Sequence, residues 1–166
     1  MIWHSETDRG ACRVLAQHWP DVPNLGDIRF VNWSTIRWGL GPVDILCGGF
    51  PCTDISWAGL QAGLGRGTTS GLWSEFVRAI DTLRPPTVII ENVRALLNVE
   101  ANRHLEPNPR TLAEGSQSDP LRGLGAVLGD LADLGYDAEW EVVSAAAVGA
   151  PHRRERVFVV AHTDGR

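Results

Sequence analysis

The chain has 166 residues, of which 43% are apolar and 21% charged, with a formal net charge of −5. These values describe a globular domain with a real core; they set aside a disordered chain and a stand-alone basic coat for nucleic acid. No stretch is long and apolar enough to span a bilayer. Met1 to Glu6 lacks the basic, apolar and small-residue blocks of a signal peptide, so a cytoplasmic setting with reduced thiols is expected.

Met1 to Ser5 reads as a short strand ending at Glu6. Asp8 to Trp19 carries Ala11, Val14 and Leu15 at helical spacing, and Pro20 to Asn24 ends that helix. Gly26-Asp27-Ile28 reads as the end of a brief extended segment. Val43 to Cys47 is an apolar run expected as a buried strand, with Cys47 in the core. Gly48, Gly49 and Pro51 are expected to form a tight turn that delivers Cys52 to the carboxyl edge of a sheet. Gly59 to Gly71 is glycine-rich and reads as a mobile loop. Leu72 to Leu83 is a helix by the spacing of Phe76, Val77, Ile80 and Leu83, and Pro85-Pro86 stops it. Thr87 to Ile90 is a buried strand that ends at Glu91-Asn92-Val93. A polar surface excursion is expected over residues 98–120, then a helix over Leu121 to Leu134 and a strand over Ala138 to Ser144. Gly149-Ala150-Pro151 breaks the chain before a last strand, Arg156 to His162. Alternating strands and helices predict an α/β fold. A doubly wound, mostly parallel sheet with helices on both faces is expected, in one domain over residues 1–166.

The cysteines Cys12, Cys47 and Cys52 are odd in number and lack zinc spacing, against a disulfide framework or a metal site. All 15 cationic residues are arginine, whose rigid fork suits phosphates and base edges. Cys52 and Glu91 stand out. A thiolate is the strongest nucleophile among side chains near neutral pH, and a carboxyl beside it acts as an acid when its environment raises its pKa. Asn92 is placed to position that carboxyl. Arg154 and Arg156 point to one side if their segment is extended. Glu6 and Asp27 close extended segments, where acids of nucleotide-binding sheets take ribose hydroxyls. A cysteine hydrolase would need a histidine base. His4, His18, His104, His152 and His162 sit in no recognisable motif.

Gly48-Gly49-Phe50-Pro51-Cys52 with Ser56, then Glu91-Asn92-Val93, then Gly149-Ala150-Pro151-His152-Arg153-Arg154-Glu155-Arg156-Val157 run in the order of the DNA cytosine-C5 methyltransferases. The chain resembles that family from about Trp3 to Ala161. The resemblance implies a Rossmann-like fold dependent on S-adenosylmethionine and truncated at its first strand. It also implies transfer of a methyl group to C5 of a flipped cytosine in duplex DNA, through a covalent Cys52 adduct. By the same resemblance Cys52 is the nucleophile and Glu91 the base-binding acid. Asn92 orders the Pro-Cys loop, and Arg154 and Arg156 line the cytosine and phosphate side. Glu6 takes the cofactor ribose, Asp27 the adenine amine, and Ile28, Pro51 and Leu72 the cofactor wall. Ser56 and Gly59 belong to the loop over DNA.

The chain departs from the pattern at Thr69, where an arginine is usual (Arg66 lies earlier), and at His152, where a glutamine is usual. The family's opening glycine-rich turn, target-recognition region and closing motif are not in the chain. The expectation is therefore a catalytic-core portion, weak or inactive by itself. It would be a remnant, or one half of a split enzyme acting as an interaction module beside a second polypeptide.

Overall fold

The computed structural model describes residues 1–51, 71–98 and 123–163. Helix α1 spans Arg9–His18, and Asp8 caps it by accepting the Gly10 and Ala11 amides at 2.8 Å. Asp27 likewise caps a 3-10 turn, Ile28–Phe30. Helix α2, Trp33–Leu40, starts at Asn32, whose side chain accepts the Thr35 amide, and ends at Gly41 with φ 79°. That left-handed angle suits glycine. The sequence reading passed over α2. Its serine, threonine, tryptophan and glycine dilute helix propensity, and the Asn32 cap was its clearest signal.

The helix expected over Leu72 to Leu83 is α3, Gly71–Leu83, and the one expected over Leu121 to Leu134 is α4, Gly123–Asp133. Strand β1 is Ile45–Gly49, β2 Thr87–Val93, β3 Tyr136–Ser144 and β4 Glu155–Thr163, in spatial order β1-β2-β4-β3. β1 and β2 are parallel, with Ile45 opposite Thr87 and Gly49 opposite Glu91. β4 runs antiparallel to both β2 and β3. The fold class is α/β as expected, but the described sheet is mixed. The short connection from Ser144 to Glu155 explains the reversal, because a parallel crossover needs a dozen or more residues.

Three further expectations change. Met1 to Ser5 makes only one parallel bridge, His4 to Asn24, with His4 N–H donating to Pro23 O at 3.1 Å and Leu25 N–H to His4 O at 2.7 Å. Beyond it the Asn24 side chain replaces the backbone ladder, accepting the Glu6 amide at 3.1 Å and donating to Glu6 O at 3.0 Å. Gly48 and Gly49 do not make a turn; they are the last residues of β1. Cys47 is exposed rather than core.

The reason for the last change lies in strand alternation. Leu46, Val88, Ile90, Val157, Val159 and Ala161 face one way and form one cluster with Phe76 and Ile80 of α3 and Leu124, Val127 and Leu131 of α4. Each such buried valine, leucine, isoleucine or phenylalanine contributes about 1.5–3 kcal/mol. Cys47 lies on the other face. Helices on both faces were expected; among the described residues, the buried helix faces join the core on one side only. Tyr136 closes the far end of this core, its hydroxyl donating to Pro85 O at 2.6 Å. The expected excursion lies outside the described residues, except Asn98, which caps the 3-10 turn Arg94–Leu97.

Candidate active site at the carboxyl ends of the strands

β1 and β2 are parallel and end together, so Phe50-Pro51 and Glu91-Asn92 emerge at one rim. Alternation then splits the work of β2. Asn92 points into the core and is 3% exposed. Its Nδ2 donates to Phe50 O at 2.9 Å, and its Oδ1 accepts the Val93 amide at 2.8 Å. A buried amide with both functions satisfied is a rigid brace. The Phe50 ring packs on Trp73 at 4.9 Å between centroids, and the Trp73 indole donates to Asp130 Oδ2 at 2.7 Å. Phe50 is thus held by its carbonyl and by its ring, which fixes where Pro51 leaves the sheet. Trp73 was missed by the sequence reading; nothing in its spacing separates it from an ordinary core tryptophan.

Glu91 points to the opposite face. Its Oε1 receives Arg156 Nε at 2.7 Å, with the two side chains 46% and 22% exposed. Arg156 stands opposite Val93 in the β2–β4 ladder, one step along the same face from Glu91, so the antiparallel register brings the pair together. Arg156 also donates to Glu155 O at 2.9 Å. Gly49 makes room for the acid: a Cβ there would meet Glu91 O at 2.8 Å and Oε2 at 3.3 Å. Gly48, on the core side, clears the Phe76 ring, which a Cβ would approach to 3.2 Å.

Arg154 does not share this geometry. It precedes β4, has φ 20° and is exposed, so the extended run expected to align it with Arg156 is broken. Beside it Glu155 pairs with Arg94 at 2.6 Å, tying the start of β4 to the turn after β2. Cys52, Ser56, Gly59, Thr69 and Arg66 lie outside the described residues.

The expected cofactor acids lie at the same end of the paired segments around His4 and Asn24. Ser5 Oγ donates to Gly26 O at 2.5 Å, bringing Glu6 and Asp27 onto neighbouring backbones. Glu6 Oε1 accepts the Thr7 and Asp8 amides at 2.7 and 2.8 Å. Asp27 accepts Arg29 Nε at 3.0 Å and Nη2 at 2.6 Å. The Arg29 side-chain hydrogen bond and the Arg29 amide hold the Asp27 carboxyl below its ordinary value. Ile28 and Leu72 both pack against the core, and Arg78 of α3 donates to Val31 O at 3.2 Å, fastening this segment to α3. Pro51 is exposed at the rim. Two carboxylates at one end of a parallel pair, with Ile28 and Leu72 on adjoining elements, fit a nucleoside bearing vicinal hydroxyls and an amine. No described group of His, Cys, Asp and Glu is arranged to hold a metal ion.

The fold has solved counterparts. The chain superposes on the S. pombe Dnmt2 methyltransferase with a TM-score of 0.69 at 11% identity, covering 100% of this chain and 44% of that one. It is, in part, a Rossmann-like methyltransferase fold. The sequence profile of the C-5 cytosine-specific DNA methylase family matches residues 1–166, and the chain belongs to that family. Similar curated proteins include type II methyltransferase M.Eco47II of Escherichia coli, 33% identical over 95% of this chain and 33% of that protein. Another is M.MspI of Moraxella sp, 31% identical over 96% of this chain and 32% of that protein. The chain spans about one third of the length of these relatives.

Proposed function

We propose that this chain is the catalytic-core part of an enzyme that methylates C5 of cytosine in duplex DNA through a covalent Cys52 adduct. One observation carries the reading. Glu91 and Asn92 act on the two sides of one strand end: Glu91 is fixed by Arg156, and Asn92 anchors Phe50, two residues before Cys52.

The Cys52 thiolate attacks C6 of a cytosine taken out of the stack, where duplex pairing no longer blocks it. Glu91, oriented by Arg156, meets the N3 and amine edge and stabilises the charge that develops as C6 is attacked. Addition at C6 makes C5 nucleophilic. After methylation, loss of the C5 proton and β-elimination restore the thiolate. S-adenosylmethionine supplies the methyl group when bound. Glu6 would hold its ribose hydroxyls and Asp27 its adenine amine, with Ile28, Pro51 and Leu72 as wall. Arg154, at the exposed entry to β4, would take a DNA phosphate, and by the family resemblance Ser56 and Gly59 would contact the strand around the flipped base. A restriction–modification role and a cytoplasmic setting follow from the same reading.

The test uses the chain together with the remaining polypeptide of its family fold, on duplex DNA carrying 5-fluorocytosine, with S-adenosylmethionine present. A stable covalent complex is expected, and Cys52→Ala should abolish it. An adduct that persists in Cys52→Ala removes the proposed nucleophile. Glu91→Gln should slow adduct formation about 100-fold or more, as for other lost acid–base partners.

The second reading is an inactive remnant, or one half of a split methyltransferase acting as an interaction module. Calorimetry with S-adenosylhomocysteine separates the two. No binding by a folded chain supports the second.

A further inference from the structure

Glu6 and Asp27 sit on two short backbones, and one side chain joins them. A regular parallel ladder continuing from the His4–Asn24 bridge would use Leu25 O to accept the Glu6 amide and the Asp27 amide to donate to Glu6 O. The Asn24 side chain supplies both functions. Its Oδ1 accepts the Glu6 amide at 3.1 Å, and its Nδ2 donates to Glu6 O at 3.0 Å. A side-chain amide thus stands in for a peptide group. The same Oδ1 accepts the Gly26 amide at 3.0 Å, and Nδ2 also donates to Cys12 Sγ of α1 at 3.3 Å.

Two acceptor sites and two hydrogens are all that an asparagine amide offers, and all four are used. Asn24 is nonetheless exposed, where water would satisfy it without ordering the side chain. A surface amide so fully committed acts on geometry rather than on burial. Cys12 completes the frame, with Sγ donating to Glu6 O at 3.4 Å, and Ser5 adds a second tie to Gly26 O. Gly26 turns the chain just before Asp27. Its φ is 73°, and nothing lies within 4 Å of where a Cβ would stand, so the angle alone calls for glycine.

We infer that Asn24 is a positioning residue for the cofactor. It sets the separation of Glu6 and Asp27, so that one nucleoside meets both carboxylates at once, Glu6 through its ribose hydroxyls and Asp27 through its adenine amine. This rests on the reading of Glu6 and Asp27 as the cofactor acids. It adds that the two contacts are made together, and that an amide bonded to neither carboxylate makes them so. Spacing fixed in advance spares the ligand the cost of ordering its own site.

Calorimetry on the chain assembled with the remaining polypeptide of its family fold tests this with three ligands. They are S-adenosylhomocysteine, its 2′,3′-dideoxy analogue, and its analogue with hydrogen in place of the adenine amine. Wild type should bind each analogue at least about tenfold more weakly than the parent, as expected for a lost hydrogen bond to a charged group. Asn24→Asp keeps the shape but turns an oxygen towards Glu6 O. It should bind the parent about tenfold more weakly and hold both analogues within about threefold of it, because only one end of the ligand is then engaged at a time. Asn24→Ala should do the same without adding a charge. Water replaces the lost bonds at this exposed place, so the unfolding midpoint of both variants should stay within about 2 °C of wild type. A general loosening of the fold would not erase the discrimination between ligands. If wild type binds all three ligands alike, or binds none, Glu6 and Asp27 are not the cofactor acids, and that reading falls with the inference. If wild type discriminates and the Asn24 variants either bind the parent as tightly or keep both tenfold penalties, the inference alone is overturned.

Discussion

The two acid-bearing regions of this chain are built differently. At the rim of β1 and β2, Asn92 reaches Phe50, 42 residues away in sequence, and Glu91 reaches Arg156 on another strand. Around residues 6–29, the Glu6 carboxylate is held by Thr7 and Asp8, and the Asp27 carboxylate by Arg29. The rim is fixed by sheet register and cannot form before the sheet does. The other acids are fixed by their immediate neighbours, so a folded sheet is no condition for them. Residues at the rim should therefore couple function to global stability, and those near the start of the chain should not.

Substitutions that break or sharpen this contrast rank by size. Asn92→Leu leaves the Phe50 carbonyl and Val93 amide without their partner in a buried place, and should cost about 3 kcal/mol in urea unfolding. A loss under about 1 kcal/mol would mean that the rim is not braced as described. Gly49→Ala forces a methyl against the Glu91 carbonyl and should cost about 2 kcal/mol. Gly48→Ala meets only the edge of the Phe76 ring, which yields, and should cost less than half as much. The two alanines side by side test whether backbone or side chain is the obstacle.

Tyr136→Phe removes the bond to Pro85 and should cost about 1 kcal/mol. Burial pushes the Tyr136 hydroxyl above its ordinary value of 10.0. Its contribution is therefore fully present below that value and lost as the pH climbs past the raised one. The wild-type chain should lose more stability on the alkaline side than the variant does. The smallest effect belongs to Arg29→Ala. Near neutrality it should lower the unfolding midpoint only slightly, as exposed pairs do. The Asp27 carboxyl sits below its ordinary 3.8, so its contribution is present above that value and fades as the pH falls past the lowered one. The variant should flatten the acid limb alone. A large neutral-pH loss in Arg29→Ala would erase the contrast between the two regions.

Much of this was legible in the sequence. Apolar periodicity gave α1, α3, α4 and the four strands, and Glu91-Asn92 after a buried run marked the rim. Three things were hidden for physical reasons. The reversed direction of β4 depends on how short its connection to β3 is. The exposure of Cys47 depends on which face the helices choose, and a five-residue apolar run does not record that. The separation of Arg154 from Arg156 depends on a single φ of 20° just before β4. The Glu91–Arg156 contact was half visible: both residues were singled out, but only the β2–β4 register shows that they meet.

Glu91 and Asn92 are adjacent in sequence yet work on opposite sides of the same ribbon. That adjacency makes the strand a frame as well as a support. Losing or gaining one residue between Thr87 and Ile90 would exchange the two, sending a carboxylate into the apolar interior and an amide to the rim, so both roles would vanish at once. Point changes there are graded, whereas changes of length are all-or-none. A deletion scan through β2 should show that cliff beside the gentler slope of an alanine scan.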